Sequence, residues 1–443
     1  MRREYVIAGI IAIAIIIAGI SIAILWKPTG VKRIRFLCSE AGDPPTLEYM
    51  TARIAEFNEE NPDIEIIPEF IGWSEVYAKI TAGIEAGSPP ELVFLDYPSL
   101  VYDFGWAEPV TDVLLEIAAE EDWVPATRLI GEDGEDYIVP VNAELMWLYY
   151  RTDWFDAKNI SYPMKSWDEL LDAAKKLTEP DKGRYGIAIS LLREYKAAED
   201  FWCFLQQAGH VFDTDGETVV IDTPELREAL EFYKELANYT APEAVEWGWG
   251  GVRNAFKIGK CAMHFYQGRT AKEIYEDYPE LISVVAGQPY PTKDPDDFPE
   301  ESGTFGCSEG FAVIKNSPYI EEAKKFIKFY VGTAEDYIDH LQTVPSHELP
   351  CRYSILDGPD FWDHPIYDAM PWLVPLIEDI VPKQQPARVE YLELFPDPSY
   401  SIAKTDRVVS SLAFTDALQA LIVNDELMDD VMSTLVVELQ EME

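Results

Sequence analysis

Short apolar runs alternate with amphipathic segments from Ile34 onward, and this alternation constrains the fold more than any other feature of the chain. Ile34–Cys38, Ile64–Phe70 and Glu91–Leu95 have the length and composition of buried strands. The spacing of apolar residues predicts one helix between the first two strands and a second over Glu75–Ala86. Strands that alternate with helices form mostly parallel sheets covered by helices, so the sequence predicts an α/β fold.

The same pattern continues further along the chain. Ser166 and Thr223-Pro-Glu225 have the residue types that begin helices, and Gly186–Ser190 is predicted to be a strand. The 443 residues are enough for about two or three domains. Neither an internal repeat nor a low-complexity linker follows residue 33. The domains are therefore expected to interleave through short crossing segments.

The first residues of the chain are much more apolar than the rest. Tyr5–Trp26 is an almost unbroken apolar run of about 22 residues, long enough to span the hydrocarbon core of a bilayer. No A-x-A cleavage site follows the run, and the run is longer than the apolar core of most secretory signals. We expect an uncleaved membrane anchor in residues 1–33; a cleaved signal, which would leave a secreted protein, is the alternative.

Charge and composition exclude several classes of function. The formal net charge of −45 repels nucleic acids, so we expect no nucleic-acid partner. The five cysteines include no C-x-x-C pair, only five histidines are present, and the chain contains no Walker A sequence. The sequence therefore predicts no metal, no cofactor and no ATPase site of its own.

Five motifs occur in a fixed order over about 300 residues. They are Phe57-Asn-Glu-Glu-Asn-Pro62, Ala86-Gly-Ser-Pro-Pro-Glu-Leu-Val93, Tyr137-Ile-Val-Pro140 with Leu148-Tyr-Tyr150 and Trp154-Phe155, Ser166-Trp-Asp-Glu-Leu170, and Ala255-Phe-Lys-Ile-Gly-Lys-Cys-Ala-Met263. Each motif is weak alone, but unrelated folds would not reproduce their shared order. In this order the chain resembles family 1 extracellular solute-binding proteins of ABC importers, the group that contains maltose- and trehalose-binding proteins. Glu91, Arg151 and Cys261 replace the usual Asp, Asn and Ala of that family.

The resemblance implies a fold and a function. The fold is the type II periplasmic-binding-protein-like arrangement, in which two α/β lobes close on a ligand by a hinge motion. The function is to capture a small molecule, in this case a sugar or oligosaccharide, and to deliver it to the permease subunits of an ABC importer. Carried over to this chain, lobe one is 34–142 plus 309–346, lobe two is 144–304 plus 351–443, and the crossings lie near Ala143, Gly306 and Leu349–Pro350.

A sugar site needs aromatic rings against the C–H faces of the ligand and planar polar groups for its hydroxyls. Loops at strand ends supply such groups, and the loop Glu246-Trp-Gly-Trp-Gly-Gly251 is the most unusual of them. Core packing is the alternative role for each aromatic residue, and turn or helix capping is the alternative for the aspartates. The predicted ligand-binding residues are Glu40, Asp43, Asp96, Tyr97, Glu144, Trp147, Trp202, Trp249, Tyr266, Gln267, Arg269 and Glu309.

Two short motifs raise enzymatic alternatives. Gly306-Cys-Ser-Glu-Gly310 fits the nucleophile elbow of α/β-hydrolases, but an apolar strand follows it where a helix is required. His347-Glu348 begins an H-E-x-x-H zinc motif, but Cys351 replaces its second histidine. We therefore expect a binding protein and no enzyme, with a membrane-anchored serine hydrolase or glycosidase as the alternative. A peptide, a polyamine or a metal complex is the alternative ligand.

Overall fold

The computed structural model describes residues 30–72, 75–95, 101–102, 104–131, 133–208, 220–382 and 411–441. The predicted membrane anchor and the predicted site residues Asp96 and Tyr97 lie outside the described residues. Within the described ranges, none of the helices is both long enough and apolar enough to cross a membrane.

Nine strands and sixteen helices make up the framework of the described part of the chain. The strands are β1 Lys32–Cys38, β2 Ile64–Phe70, β3 Leu92–Leu95, β4 Val139–Leu145, β5 Trp147–Arg151, β6 Met263–Tyr266, β7 Val285–Gln288, β8 Gly306–Val313 and β9 Leu349–Pro350. The helices are α1 Pro44–Glu60, α2 Val76–Glu85, α3 Thr111–Ile117, α4 Thr152–Lys158, α5 Trp167–Leu177, α6 Tyr195–Ala208, α7 Pro224–Ala237, α8 Trp249–Lys257, α9 Arg269–Asp277, α10 Ile320–Val331, α11 Ala334–Leu341, α12 Tyr353–Leu356, α13 Pro365–Ala369, α14 373–382, α15 Ala413–Leu418 and α16 Met428–Gln440.

Lobe one is built on a six-stranded mixed sheet with the order β2-β1-β3-β8-β4-β9. β1 is parallel to β2 and β3, whereas β8 is antiparallel to both of its neighbours, β3 and β4. Buried aromatic side chains fill the space between this sheet and α10. The ring centroids of Phe94 and Phe311 are 5.0 Å apart, and those of Phe36 and Phe326 are 5.9 Å apart. Burial of these large apolar side chains stabilises this lobe.

Lobe two is built on a three-stranded antiparallel sheet with the order β6-β5-β7. Helices cover the sheet, and their aromatic side chains form a second core. Phe265 of β6 stacks on Tyr290 with 4.4 Å between ring centroids, and Phe204 of α6 contacts both rings edge-on. α15 returns from the end of the chain and adds Phe414 to the same core. The last described helices therefore belong to lobe two.

Most of the local predictions are confirmed. The three predicted strands of the first hundred residues are β1, β2 and β3, with bounds that differ by at most two residues. The Ser166 hydroxyl accepts a hydrogen bond from the backbone N–H of Glu169 at 3.2 Å, and Thr223 caps α7 in the same way through the N–H of Leu226 at 3.1 Å. These side chains satisfy N–H groups that have no partner within the helix.

The predicted strand over Gly186–Ser190 is wrong. This segment forms only isolated bridges, such as the one that joins Ala188 to His264. Its backbone groups are used elsewhere: the N–H of Gly186 bonds to the carbonyl of Tyr239, and the N–H of Ser190 bonds to the carboxylate of Asp200 at 3.0 Å. Within this described segment only Ala188 bonds to β6, through its N–H and the carbonyl of Met263 at 2.8 Å, so no continuous ladder forms.

The chain passes between the two sheets at Met146, the single residue that separates β4 from β5. It re-enters the six-stranded sheet at Gly306, the first residue of β8. β9 is an edge strand that pairs with β4. Glu144, which the sequence placed in lobe two, lies in β4 of the six-stranded sheet, where it pairs with Cys307 of β8.

Candidate functional site

The carboxyl-terminal ends of β1, β3 and β4 lie at the same edge of the six-stranded sheet. β1 is parallel to β3, and β4 runs in the same direction as β3 because both are antiparallel to β8. A short 3₁₀ turn, Glu40–Gly42, follows β1, and Asp43 then begins α1. From lobe two, the end of β6 and the start of α9 face this edge. The two lobes thus contribute polar side chains to one buried region.

An ion pair between Arg269 and Asp43 joins the two lobes. Asp43 stands at the N-cap position of α1, yet its carboxylate makes no capping hydrogen bond. It is fully buried and binds the Arg269 guanidinium instead. Although burial opposes the charge of Arg269, the Asp43 carboxylate raises its pKa. Helix capping was the alternative role predicted for Asp43. The residue does occupy the N-cap position, but its side chain makes no capping hydrogen bond.

Glu144 and His347 meet beside this ion pair, at a distance of 3.0 Å between the carboxylate Oε1 and the imidazole Nε2. Burial lowers the pKa of His347. Burial alone would raise the pKa of Glu144, but the contact with His347 and the charge of Arg269 lower it. Glu348 is also buried, and burial together with the neighbouring Glu144 and Asp43 holds its pKa well above the usual range.

The wall of lobe two is formed by the starts of α6 and α8. The indole N–H of Trp249 donates to the carboxylate of Glu199 at 3.0 Å, and Arg253 donates to the hydroxyl of Tyr266. Lys196 is fully buried, forms an ion pair with Asp200 and lies 4.9 Å from the centroid of the Tyr266 ring. Burial raises the pKa of Glu199 to about 7. This wall therefore combines aromatic rings with charged groups.

Gly268 allows the segment before β9 to pass directly over the start of α9. The hydroxyl of Ser346 donates to the carbonyl of Gly268 at 3.1 Å. A Cβ atom at position 268 would lie 1.8 Å from the backbone oxygen of Ser346. Because that distance is impossible for real atoms, only glycine fits at this contact.

The structure brings five of the predicted site residues together in this region. They are Asp43, Glu144, Trp249, Tyr266 and Arg269. Glu40 is buried near them, and its charge acts on Glu348. Gln267 is buried beside Arg269, and its backbone carbonyl accepts a hydrogen bond from Tyr149.

Three of the predicted ligand-binding residues lie outside this buried region between the lobes. Trp147 is fully buried in β5 against Tyr149, with 5.4 Å between ring centroids. Trp202 lies in the core of lobe two, edge-on to Phe305 and Phe414. Glu309 accepts a hydrogen bond from Asn142 at 2.9 Å within the β4–β8 pair. Packing accounts for the two tryptophan positions, as the core alternative anticipates.

Sequence reasoning missed five residues of this region: Lys196, Glu199, Arg253, His347 and Glu348. One signal for the first two was present, since Lys196, Glu199 and Asp200 are charged residues inside an otherwise apolar helix. His347-Glu348 was recognised only as an incomplete zinc motif. Its partner, Glu144, is distant in sequence, so no local pattern joins the three.

The hydrolase alternative lacks its structural context. Ser308 lies in the middle of β8, paired with Ala143 of β4. A nucleophile elbow instead places its serine on a sharp turn between a strand and a helix. The GxSxG match is therefore a chance match within a buried strand.

Comparison with known proteins places this architecture in a family. The sequence profile of the bacterial extracellular solute-binding proteins matches residues 42–336. A protein of Escherichia coli K12, YcjN, is 25% identical over 330 residues, which are 72% of this chain and 73% of YcjN. YcjN is provisionally named as the periplasmic-binding protein of an ABC transporter.

Solved structures share the fold. An ABC transporter solute-binding protein of Agrobacterium radiobacter K84, in complex with ribitol, aligns with a TM-score of 0.74 and 21% identity over 94% of this chain and 100% of its own. Maltose-bound MalE3 of T. maritima aligns with a TM-score of 0.71 and 21% identity over 93% of this chain and 100% of its own. At these identities the likeness establishes the two-lobe α/β fold.

Replacement of Glu199 by Gln should change how stability depends on pH. The pKa of Glu199 is raised from 4.5 to about 7 in the folded protein, so the folded state binds more protons than the unfolded state between these values. Wild-type stability therefore falls as pH rises through this window, and Glu199→Gln removes that loss while keeping an acceptor for Trp249. Melting temperatures of both proteins from pH 4 to 8 should diverge in favour of the variant. Parallel curves would contradict the raised pKa.

The Asp43–Arg269 pair should respond unequally to removal of its two partners. Arg269→Gln leaves Asp43 buried beside Glu144 and Glu348, whereas Asp43→Asn leaves Arg269 next to those same two carboxylates. We expect Arg269→Gln to cost about 3–5 kcal/mol and Asp43→Asn less. The double variant should be more stable than Arg269→Gln alone. Calorimetry of the four proteins measures the coupling, and strictly additive losses would show that the pair contributes nothing.

Proposed function

We propose that this chain, which belongs to the bacterial extracellular solute-binding protein family, captures a sugar or sugar alcohol between its lobes for an ABC importer. In that role the two lobes close over one ligand molecule and present it to the permease. Family membership supports a binding role. The ligand class follows from the chemistry of the buried region between the lobes.

The observation that carries the ligand class is a set of buried polar atoms on both sides of the cleft. Asp43 Oδ1, Gln267 Oε1 and Thr270 Oγ1 have no hydrogen-bond partner within the described part of the chain. A buried polar group without a partner costs about 1–3 kcal/mol, so such groups are normally satisfied by a ligand or by water. Hydroxyl groups both donate and accept hydrogen bonds, so a polyhydroxylated ligand can satisfy carboxylate, amide and hydroxyl partners together.

The aromatic residues of lobe two supply the apolar part of such a site. Trp249 is partly exposed at the start of α8, edge-on to Tyr195 with 6.3 Å between ring centroids. Its indole N–H is fixed by Glu199, which holds the ring in one orientation. A fixed aromatic face suits the C–H face of a sugar ring. The ribitol and maltose bound to the two solved structures fit the same class of ligand.

We place the hinge at the three passages between the sheets: Met146, Phe305–Gly306 and the segment that leads into β9. Each passage is short. The first follows β4 directly, and the other two lead into β8 and β9, the two strands that pair with β4. Hinge closure needs only a few residues that change their backbone angles. Asp43 and Arg269, one from each lobe, then meet only in the closed form.

Replacement of Trp249 by Ala should weaken sugar binding without unfolding the protein. We expect a loss of about 1–3 kcal/mol, which is about a 5- to 150-fold rise in Kd, because an aromatic contact face is removed. A thermal-shift screen of the detergent-solubilised full chain against sugars, sugar alcohols, peptides and polyamines first identifies the ligand, and titration then measures Kd. Ligand at one hundred times Kd should stabilise wild type by about 2.7 kcal/mol.

Trp106→Ala is the matched control, since Trp106 is a partly exposed tryptophan in a separate cluster of lobe one. It should leave the ligand Kd unchanged. Equal losses in both variants would assign the Trp249 effect to general destabilisation. A shift by peptides or polyamines alone would refute the sugar assignment, and consumption of the sugar during incubation would refute a pure binding role.

We also propose that the apolar run Tyr5–Trp26 holds the protein at the outer face of the cell membrane. The run is long enough for one span, and an anchored binding protein stays close to its permease. The mature protein should remain in the membrane fraction after a carbonate wash, and its intact mass should include the N-terminal residues. A soluble protein that begins after Trp26 would establish a cleaved signal instead.

A further inference from the structure

Two carboxyl groups, of partly buried Glu144 and fully buried Glu348, face each other across neighbouring strands. In the β4–β9 pair, Asn142 lies opposite Pro350 and Ala143 lies opposite Leu349. The same antiparallel register sets Glu144 beside Glu348, the residue before β9. Like charges at directly opposed positions repel each other, and burial strengthens the repulsion. The arrangement therefore favours a positively charged partner.

His347 completes a group that has the donor types of a metal site. One donor atom from each of Glu144, His347 and Glu348 lies within 4.8 Å of the other two. Around a tetrahedral zinc ion with bonds of about 2.1 Å, donor atoms are about 3.4 Å apart, so only small side-chain rotations are needed. The ion would take the place of the proton between His347 Nε2 and Glu144 Oε1, which are 3.0 Å apart.

Two atoms of this group point to a ligand independently of its charge. Among the residues that the structure describes, Nδ1 of His347 and Oε2 of Glu348 have no hydrogen-bond partner. Both side chains are almost completely buried, at 3% and 1% relative exposure. An imidazole nitrogen and a carboxylate oxygen are ordinary ligands for zinc and related divalent ions.

The surrounding charges favour a cation. The carboxylates of Glu40 and Asp43 act on Glu348 together with that of Glu144. Arg269 is the opposing positive charge among these neighbours, and it is engaged directly by Asp43. Four carboxyl groups thus lie near one guanidinium, and such a group of acidic side chains is suited to a divalent ion.

We propose that Glu144, His347 and Glu348 form a binding site for a divalent transition-metal ion of the zinc type. Three protein ligands leave a coordination position open. The ion links β4 to the segment that leads into β9, so it fastens two of the crossing segments to each other. This site does not depend on the identity of the captured ligand.

Zinc binding to the chelator-stripped full chain tests the proposal. Equilibrium dialysis with Zn²⁺ alone, in excess Mg²⁺ to suppress weak binding to the acidic surface, should give one tightly bound ion per chain. Glu348→Gln and His347→Asn should each weaken that binding by about 10- to 100-fold or more. Glu276→Gln removes an exposed carboxylate and is the matched control, which should bind zinc as wild type does.

Cobalt gives a readout that separates coordination from a general loss of structure. Co²⁺ in the site should show visible absorption that zinc displaces, and this spectrum should be lost in His347→Asn while the circular dichroism stays unchanged. Zinc binding that is equal in all variants would overturn the proposal. It would also be overturned if zinc failed to bind while glucosamine bound in a Glu348-dependent manner, since the group would then hold a ligand ammonium. The sugar titrations are repeated in EDTA, so that failure of the metal site and failure of sugar binding are distinguished.

Discussion

The structure depends on one strand, β4, which leads directly from the six-stranded sheet into the three-stranded sheet. β4 pairs with β8 and β9 in the six-stranded sheet, and only Met146 separates it from β5 in the three-stranded sheet. Hydrogen bonds on both sides fix the register of β4, and this register sets Glu144 at the boundary between the lobes. A slip of one residue would turn its side chain to the opposite face. Cleft, hinge and proposed metal site therefore share one structural support.

Charge inside the protein is organised differently from charge on its surface. The surplus of acidic residues is tolerated on the surface, where water and salt screen it. In the interior each charge needs a partner: Lys196 is paired with Asp200, and Arg269 with Asp43. In the region around Glu348, four carboxyl groups lie near the guanidinium of Arg269, and burial raises the pKa of Glu348. This surplus of acidic groups makes the region suited to binding a ligand. Contacts with a bound ligand or ion would offset part of the desolvation free energy of the buried carboxyl groups.

The extent of successful prediction differs between the fold and the site. Strand positions were predictable because burial on both faces leaves continuous apolar runs such as Leu92–Leu95. The helix starts at Ser166 and Thr223 were predictable because capping is local. Gly186–Ser190 was mispredicted because only Ala188 bonds to β6, while the N–H groups of Gly186 and Ser190 bond to a loop carbonyl and a carboxylate. Trp202 had the residue type of a sugar platform, but its helix turns it into the core.

The sequence by itself determined the α/β class, the first three strands, the helix starts at Ser166 and Thr223 and the family, since each depends on short periodicities, local capping or motif order. Only the tertiary structure decided which polar residues meet. Asp43 and Arg269 are 226 residues apart, and Glu144 is joined to Glu348 by the pairing of two strands from distant parts of the chain. Such contacts are set by sheet register and by the close approach of Gly268 to Ser346. Neither the register nor this approach can be predicted from local sequence, because both arise only when distant segments pack together.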